Sequence, residues 1–399
     1  MHVAVDARYL ARQQSGVGFY TERLVDGLTV IDRVNRYTFI VARDGPPLPA
    51  GRPNAAEWPT RISFENHLLG DLWLHGYLPA RLRGLGVDVY HGPAVFLPLV
   101  KLGYRTVVTV HDLVSFLFPS TVPRKYSLYM RLMTRLAVRS ADRVIAVSGT
   151  TKNDLTRVLR VPDEKVVVIH EAIGPAFEGP ADPDAVARVK RRYGIRSVYC
   201  LFVGNLEPRK NLMGLIRAFA LLRARAPATR LGHQLVIAGT PAWLYGGISR
   251  AVEDHGLGSD VVFTGYVPSA ELPLLYAGAS CFVFPSLYEG FGLPVLEAMA
   301  TGIPVVASRV GAIPEVAGDA ALLVDPGQPG EIADAVETLL TDDALRMQCA
   351  HRGRARARQF SWERVARATL AVYEAVHFGR PTAPTAVPPG SAVGDQAPR

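Results

Sequence analysis

Seven residues separate two glutamates in the stretch Ser286-Leu-Tyr-Glu-Gly-Phe-Gly-Leu-Pro-Val-Leu-Glu297. The apolar runs at residues 281–284 and 303–307 on either side are typical of parallel strands that are buried on both faces. The two glycines allow a ligand to approach the backbone closely, and the residues from Leu293 onward have a helical pattern. The pattern therefore predicts a ligand-binding loop, with Glu289 at its mouth and Glu297 about one turn into the following helix.

A glutamate near a helix start is often only a partner of the helix dipole or a solvated residue. Here the two carboxylates occur together with two glycines between buried strands, and this combination favours a binding site. The free N–H groups of the helix start suit an anion or a sugar hydroxyl. Glu297 can accept hydrogen bonds from paired hydroxyls such as those of a ribose.

The same segment resembles the Glu-x7-Glu signature of family 4 retaining glycosyltransferases, a family with the GT-B fold that includes mannosyltransferases. Further motifs occur in the expected order up to about residue 378. The resemblance implies two Rossmann-like α/β domains facing an interdomain cleft, with a C-terminal helix that crosses back to the first domain. It also implies that Glu289 holds the donor sugar and Glu297 the ribose, while the backbone of Gly290, Phe291, Gly292 and Leu293 orients the sugar ring.

Length and composition fit this fold. The 399 residues are too many for one ordinary core, and 49% hydrophobic with 20% charged residues is typical of a soluble enzyme. No apolar run is long enough to span a membrane, and the first residues resemble a strand and not a signal peptide, which predicts a cytoplasmic protein. Three distant cysteines predict buried free thiols, and no metal site is expected.

Apolar runs alternate with helical patterns in both halves of the chain, which predicts two parallel sheets of six strands each. The predicted strands are residues 2–5, 37–41, 87–91, 106–110, 143–147 and 165–169, then 199–204, 234–238, 261–265, 281–284, 304–308 and 321–324. The predicted domains are 1–174 on the acceptor side and 186–359 for the nucleotide sugar, joined by a linker at 175–185. A capped, amphipathic helix at 360–378 and a disordered tail at 379–399 follow.

A second motif, Val203-Gly-Asn-Leu-Glu-Pro-Arg-Lys-Asn-Leu212, follows a predicted strand and precedes a helix. Arg209 and Lys210 would place two cations beside free helix amides in an exposed loop, an arrangement that suits a pyrophosphate. Gly204 and Asn205 join the predicted donor site. The family often has an arginine directly after the glycine. Asn205 stands there in this chain, which leaves open whether Arg209 alone takes over the phosphate role.

Three further segments complete the predicted site. His111, directly after a strand, resembles the active-site histidine of the family and is expected to contact the donor sugar opposite Glu289. Gly16, Val17 and Gly18 resemble a glycine loop below the donor phosphates. Tyr266 and Val267 follow a strand end, where their backbone could bind the edge of the nucleotide base. Ser148 is either a residue of the cleft or a simple helix cap.

Positive charge is concentrated between Lys101 and Arg143, where eight lysines and arginines face two acidic residues. A helix in this segment is predicted to present four arginines on one face and four apolar residues on the other: Arg124, Arg131, Arg135 and Arg139 against Tyr129, Leu132, Met133 and Leu136. This face is either simply solvated or a peripheral contact with an anionic membrane. Nothing in the segment has the aromatic interleaving of a nucleic-acid site.

Together these features predict a retaining, metal-independent transferase that moves mannose from GDP-mannose to a glycan or lipid-linked acceptor. The donor follows from the resemblance of residues 206–212 to mannosyltransferases of polysaccharide assembly. UDP-sugars and dTDP-rhamnose remain alternative donors, and a sugar-nucleotide-binding protein without catalysis is the non-enzymatic alternative. A pyridoxal-phosphate phosphorylase would need a buried lysine, which an exposed Lys210 would not provide. No cofactor beyond the nucleotide sugar is expected.

Overall fold

A computed structural model describes residues 1–12, 16–43, 45, 52–62, 67–229, 232–243 and 246–381. The chain forms two compact units. The first contains residues 1–116, 125–171 and the segment that starts at Ser361, and the second contains residues 117–124 and 172–360. The predicted tail lies outside the described residues, except for its first three positions.

The first unit contains an all-parallel sheet with the order β3-β2-β1-β4-β5-β6-β7. Its described strands are β1 (His2–Asp6), β2 (Arg36–Ala42), β3 (Ala55–Thr60), β4 (Val89–Gly92), β5 (Arg105–Val110), β6 (Arg143–Ala146) and β7 (Val166–Val168). Its described α-helices are α1 (Gly16–Ile31), α2 (His67–Leu72), α3 (Leu78–Gly84), α4 (Val114–Leu117), α5 (Arg124–Ser140) and α6 (Gly149–Leu159). Strand order reverses between β1 and β4, as in a Rossmann fold.

Edge strand β3 was not predicted from the sequence. Its residues Ala-Ala-Glu-Trp-Pro-Thr lack the apolar run of a buried strand, and Pro59 has no N–H to donate to a sheet. Proline is tolerated on an edge strand, where one side of the backbone has no partner strand. The sheet therefore has seven described strands where six were predicted.

The second unit repeats the pattern with the order β10-β9-β8-β11-β12-β13. Its described strands are β8 (Tyr199–Val203), β9 (Gln234–Ala238), β10 (Val261–Gly265), β11 (Cys281–Phe284), β12 (Val305–Ser308) and β13 (Ala321–Val324). Its described helices are α7 (Pro183–Arg192), α8 (Leu212–Thr229), α9 (Ile248–Asp254), α10 (Leu272–Ala277), α11 (Leu293–Thr301), α12 (Ile313–Ala317), α13 (Pro329–Thr341) and α14 (Asp343–Ala357). The six strands correspond to the six predicted for this half.

Stacked aromatic rings fill the centre of the second sheet. Phe202 of β8 lies 5.8 Å from Phe284 of β11, which is 5.6 Å from Phe282 on the same strand. All three are fully buried, as are the neighbouring thiols of Cys200 and Cys281. The two loops that follow β8 and β11 begin at this packed centre.

The last helix, α15 (Trp362–Phe378), belongs to the first unit. It starts at Ser361, whose hydroxyl accepts a hydrogen bond from the N–H of Arg364. The helix packs closely on α1 at Gly27, where a side chain would not fit: a Cβ added there would lie 2.9 Å from the Cβ of Ala366. At its other end the Tyr373 hydroxyl reaches Nδ1 of buried His91 at 2.6 Å. The predicted return of the C-terminal helix to the first domain corresponds to this packing.

The borders between the units differ in detail from the predicted ones. Residues 117–124 belong to the second unit, in which Phe118 lies 5.5 Å from the ring of Tyr288. Helix α7 also begins inside the predicted linker, at Pro183. Asp182 caps it through the N–H of Asp184, and a proline at the first helical position has no N–H that needs a partner.

Helix α5 corrects the predicted division of its faces. Met133 is buried, but Leu132 is 55% exposed and Leu128 is 65% exposed. At 3.6 residues per turn these leucines share a side of the helix with Arg135 and Arg139, both exposed. The outward face therefore combines leucines with cations. No described helix is long and apolar enough to cross a membrane.

Candidate active site

Two loops of the second unit carry the predicted charged residues. Arg209 and Lys210 follow β8, and Glu289 follows β11, the strand next to β8. The order β10-β9-β8-β11-β12-β13 reverses direction between these two strands. In open parallel sheets, ligands bind outside the carboxyl ends of the strands at such a switch point. The three side chains are therefore placed where this fold binds its ligands.

A compact cluster of four charged side chains forms at this point. Oε1 of Glu289 lies 2.6 Å from Nζ of Lys210, and its Oε2 lies 2.8 Å from Nη1 of Arg209. Nη2 of Arg209 donates to Oε1 of Glu207 at 2.6 Å. All four side chains are at most 14% exposed. Two cations and two carboxylates give these four residues a net charge of zero.

Burial raises the pKa of Glu289, but the charges of Arg209 and Lys210 more than offset this effect and lower that pKa to about 2. Burial and the neighbouring Arg209 lower the pKa of Lys210, and Glu289 opposes them. The prediction that Lys210 lies in an exposed loop is wrong, because it is 8% exposed. The backbone from Pro208 to Lys210 forms a short 3-10 turn that directs the amine inward. A pyridoxal-phosphate phosphorylase would need a buried lysine, so the exposure expected for Lys210 no longer argues against that class of enzyme.

The loops around the cluster support one another. Asn211 has a left-handed backbone, and its side-chain amide donates to the carbonyls of Pro285 and Pro326. Behind Glu289, Gly311 has a φ of +63°, and a Cβ there would lie 2.8 Å from the Glu289 carbonyl oxygen. That oxygen accepts a hydrogen bond from the N–H of Ala312. The position of Glu289 is thus fixed by its backbone as well as by its salt bridges.

Glu297 lies in α11, about one turn after Gly292, as predicted. Gly292 precedes the helix with a φ of +107°, a value that favours glycine, and Pro294 is in the first turn. The hydroxyl of Tyr276 donates to Oε2 of Glu297 at 2.8 Å. Burial raises the pKa of Glu297 to about 7, although the Tyr276 hydrogen bond opposes this shift. Glu297 is therefore protonated in part of the molecules near neutral pH.

The remaining predicted donor residues follow neighbouring strands. The N–H of Gly204 donates to the carbonyl of Ala238, and the N–H of Gly239 donates to the carbonyl of Gly265, so the ends of β8, β9 and β10 are joined. Tyr266, directly after β10, is 45% exposed, and Val267 is buried. Asn205 accepts a hydrogen bond from the Thr240 hydroxyl at 3.3 Å.

The first unit holds the other predicted residues. His111 follows β5, and its ring binds Glu171 and the carbonyl oxygen of Pro93. The predicted glycine loop is different, because Gly16, Val17 and Gly18 form the first turn of α1. A helix start can use Gly-Val-Gly as readily as a loop can, so the sequence did not distinguish them. Ser148 caps α6 through the N–H of Thr151.

Three residues in these environments were missed by sequence reasoning. Glu207 is part of the quoted motif, and an acidic residue two positions before Arg209 is a signal that could have been used. Glu171 follows β7, as a ligand-binding residue of a parallel sheet would. No sequence pattern predicted the role of Tyr276, because nothing in its apolar helix indicates that its hydroxyl reaches Glu297.

Two family models match the chain. One described as Glycosyltransferase Family 4 matches residues 14–177, and one described as Glycosyl transferases group 1 matches residues 189–356. The O-antigen chain mannosyltransferase B of Escherichia coli is 36% identical over 294 residues, which are 73% of this chain and 76% of that protein. The chain belongs to glycosyltransferase family 4.

Solved structures show the same fold as this glycosyltransferase. Sucrose-phosphate synthase from Thermosynechococcus elongatus has a TM-score of 0.74 at 20% identity, over 95% of this chain and 100% of that structure. Anabaena HepE in complex with UDP-glucose has a TM-score of 0.72 at 19% identity, over 94% and 99% of the two chains. The predicted family and the α/β fold with two Rossmann-like domains are confirmed.

Proposed function

We propose that this glycosyltransferase transfers mannose from GDP-mannose to a hydroxyl of a glycan or lipid-linked acceptor. The observation that carries the proposal is the placement of Arg209, Lys210 and Glu289 at the switch point between β8 and β11. The similarity to an O-antigen chain mannosyltransferase supports the sugar. The complex of HepE with UDP-glucose, a protein of the same fold, supports a nucleotide sugar as the donor class.

The residues of the proposed site bind different parts of the donor. Arg209 and Lys210 bind the diphosphate and stabilise the negative charge that grows on it as the sugar leaves, so the reaction needs no divalent metal. Glu289 accepts hydrogen bonds from sugar hydroxyls, and Glu297 accepts them from the ribose. For His111, the resemblance to the active-site histidine of the family supports a role on the sugar. Acceptor attack from the face that the diphosphate leaves retains the anomeric configuration.

The base and the sugar are tested separately. Calorimetric titration with GDP, UDP and dTDP in the presence of a chelator identifies the base, and tight binding of GDP alone is expected. Binding of UDP or dTDP instead would assign a UDP-sugar or dTDP-rhamnose donor, and binding that requires Mg²⁺ would contradict metal independence. Release of GDP from GDP-mannose, measured with a panel of mannose-terminated acceptors, separates a transferase from a protein that only binds the nucleotide.

A second proposal concerns the outer face of α5, defined by Leu128, Leu132, Arg135 and Arg139. We propose that this face binds an anionic bilayer. Helix α5 contains five cations and no acidic residue, and its two outward leucines are more than half exposed. Apolar side chains among cations are the composition of a helix that lies in a lipid interface. Such contact would bring the enzyme to a lipid-linked acceptor.

A further inference from the structure

Both ring nitrogens of His111 have hydrogen-bond partners that only accept. Nδ1 lies 2.7 Å from Oε1 of Glu171, and Nε2 lies 2.8 Å from the carbonyl oxygen of Pro93. A carboxylate and a peptide carbonyl have no proton to donate, so both nitrogens must donate. Neutral imidazole has one N–H, whereas imidazolium has two. With Glu171 ionised, both contacts are satisfied only when His111 is the cation.

Each element packed against His111 contributes to this environment. The rings of Tyr20 in α1 and His111 form a T-shaped pair with their centroids 4.8 Å apart, and the Thr151 hydroxyl of α6 donates to the His111 carbonyl at 3.4 Å. Asp112 adds a negative charge, while His91, within β4, is neutral. Burial lowers the pKa of His111, but hydrogen bonding and charge from Glu171, with smaller contributions from Pro93 and Asp112, leave that pKa raised.

His91 provides an internal comparison in the same unit. Its ring is fully buried, and its nitrogens contact the hydroxyls of Tyr373 and Thr109 at 2.6 and 2.9 Å. A hydroxyl can donate or accept, so a neutral ring satisfies both contacts. Burial, followed by repulsion from His111, lowers the pKa of His91 to about 3. The partner of the ring decides the charge: hydroxyls leave His91 neutral, and the Glu171 carboxylate keeps a proton on His111.

We propose that Glu171 is a positioning residue that fixes the ring of His111 and keeps it as imidazolium, so that His111 acts on the donor as a cationic hydrogen-bond donor and not as a general base. This role rests on the proposed function, in which His111 contacts the sugar. The His111 side chain is 19% exposed and that of Glu171 only 7%. A ligand can therefore reach the histidine while its carboxylate partner stays protected from water. The Nε2–H, which now donates to Pro93, is the group that could turn to a sugar hydroxyl.

The test is the titration of His111 by NMR in the whole protein, with its signals assigned by their loss in His111→Asn. In the wild type the His111 ring is expected to stay protonated at pH values above 6.5, the ordinary pKa of histidine. Glu171→Gln keeps the shape but removes the charge, and should lower the titration midpoint by about one pH unit or more. Glu171→Asp keeps the charge and should retain most of the upward shift. Exposed Glu164 provides the control, since Glu164→Gln should change nothing.

The release of GDP from GDP-mannose gives a second readout. Activity is expected to fall as the pH rises through the titration midpoint of His111. In Glu171→Gln this fall should begin at a lower pH, with a larger effect on kcat than on KM. An unchanged His111 titration in Glu171→Gln would overturn the proposal. A wild type that titrates as expected but releases no GDP would contradict the proposed function and leave the pairing of His111 with Glu171 intact.

Discussion

The carboxylate of Glu289 bridges Lys210 and Arg209, at 2.6 and 2.8 Å. The two cations proposed to bind the diphosphate are thus already neutralised, because Glu207 pairs with Arg209 as well. A diphosphate added to this buried cluster would leave an uncompensated negative charge, which is costly in a protein interior. Donor binding is therefore expected to move Glu289 from the cations to the sugar hydroxyls.

The substitution Glu289→Gln tests this exchange. Removal of the competing carboxylate should strengthen binding of GDP by roughly three- to tenfold, because the cations no longer have to release Glu289. Turnover of GDP-mannose should fall steeply, since a neutral amide binds the sugar hydroxyls less strongly than a charged carboxylate does. Calorimetry with GDP and kinetics with GDP-mannose measure the two effects, and a melting curve checks the fold. Weaker GDP binding would instead mean that Glu289 supports the phosphate site.

Lys210→Ala should weaken GDP binding by about 1.5 to 3 kcal/mol, the range for hydrogen bonds to charged groups. It should also destabilise the fold, because the loss of one partner of a buried ion pair costs about 3 to 5 kcal/mol. Arg250, with a side chain 83% exposed in the same unit, is the matched control for loss of a cation. If Lys210→Ala binds GDP as tightly as Arg250→Ala does, Lys210 is not part of the donor site.

Binding of GDP-mannose should depend on pH through Glu297. The folded-state pKa of about 7 means that this carboxyl must lose a proton before it can accept from both ribose hydroxyls. Affinity should therefore rise with pH between about 6 and 8, by up to about tenfold per unit below the pKa. Calorimetry across this range measures the slope. Glu297→Gln should bind more weakly at pH 8 and lose the slope, and a slope that persists would assign the titration to another group.

The outer face of α5 should bind vesicles that contain phosphatidylglycerol, and not pure phosphatidylcholine, with an affinity that falls as salt rises. Leu128→Ser with Leu132→Ser should weaken sedimentation with the vesicles, and so should Arg135→Glu, because each basic residue near an anionic surface contributes about 1 kcal/mol. Val34→Ser is the control, since Val34 is 92% exposed in the same unit. No binding at low salt would leave α5 as a solvated helix face.

Much of the fold could be predicted because its signals are local. The buried strands are continuous apolar runs, and residues 281–297 contain a strand, a loop and a helix start within one short segment. The edge strand β3 was not predicted, because Pro59 and Glu57 are residues of an edge strand and not of a buried core strand. The faces of α5 were assigned by separating the arginines from the apolar residues, and this pattern did not indicate that Leu132 is exposed.

The sequence by itself determined the family, the two α/β domains and the residues that carry the proposed chemistry, because each motif is a short segment whose spacing has local meaning. The tertiary structure decided which of these residues meet. Lys210 and Glu289 are 79 positions apart, and His111 and Glu171 are 60 apart. Such pairs form because strand order brings distant loops to one edge of a sheet, and burial then sets the charge of each partner. Strand order and burial depend on the whole chain, so the neutralised cations and the imidazolium of His111 were not visible in any single segment.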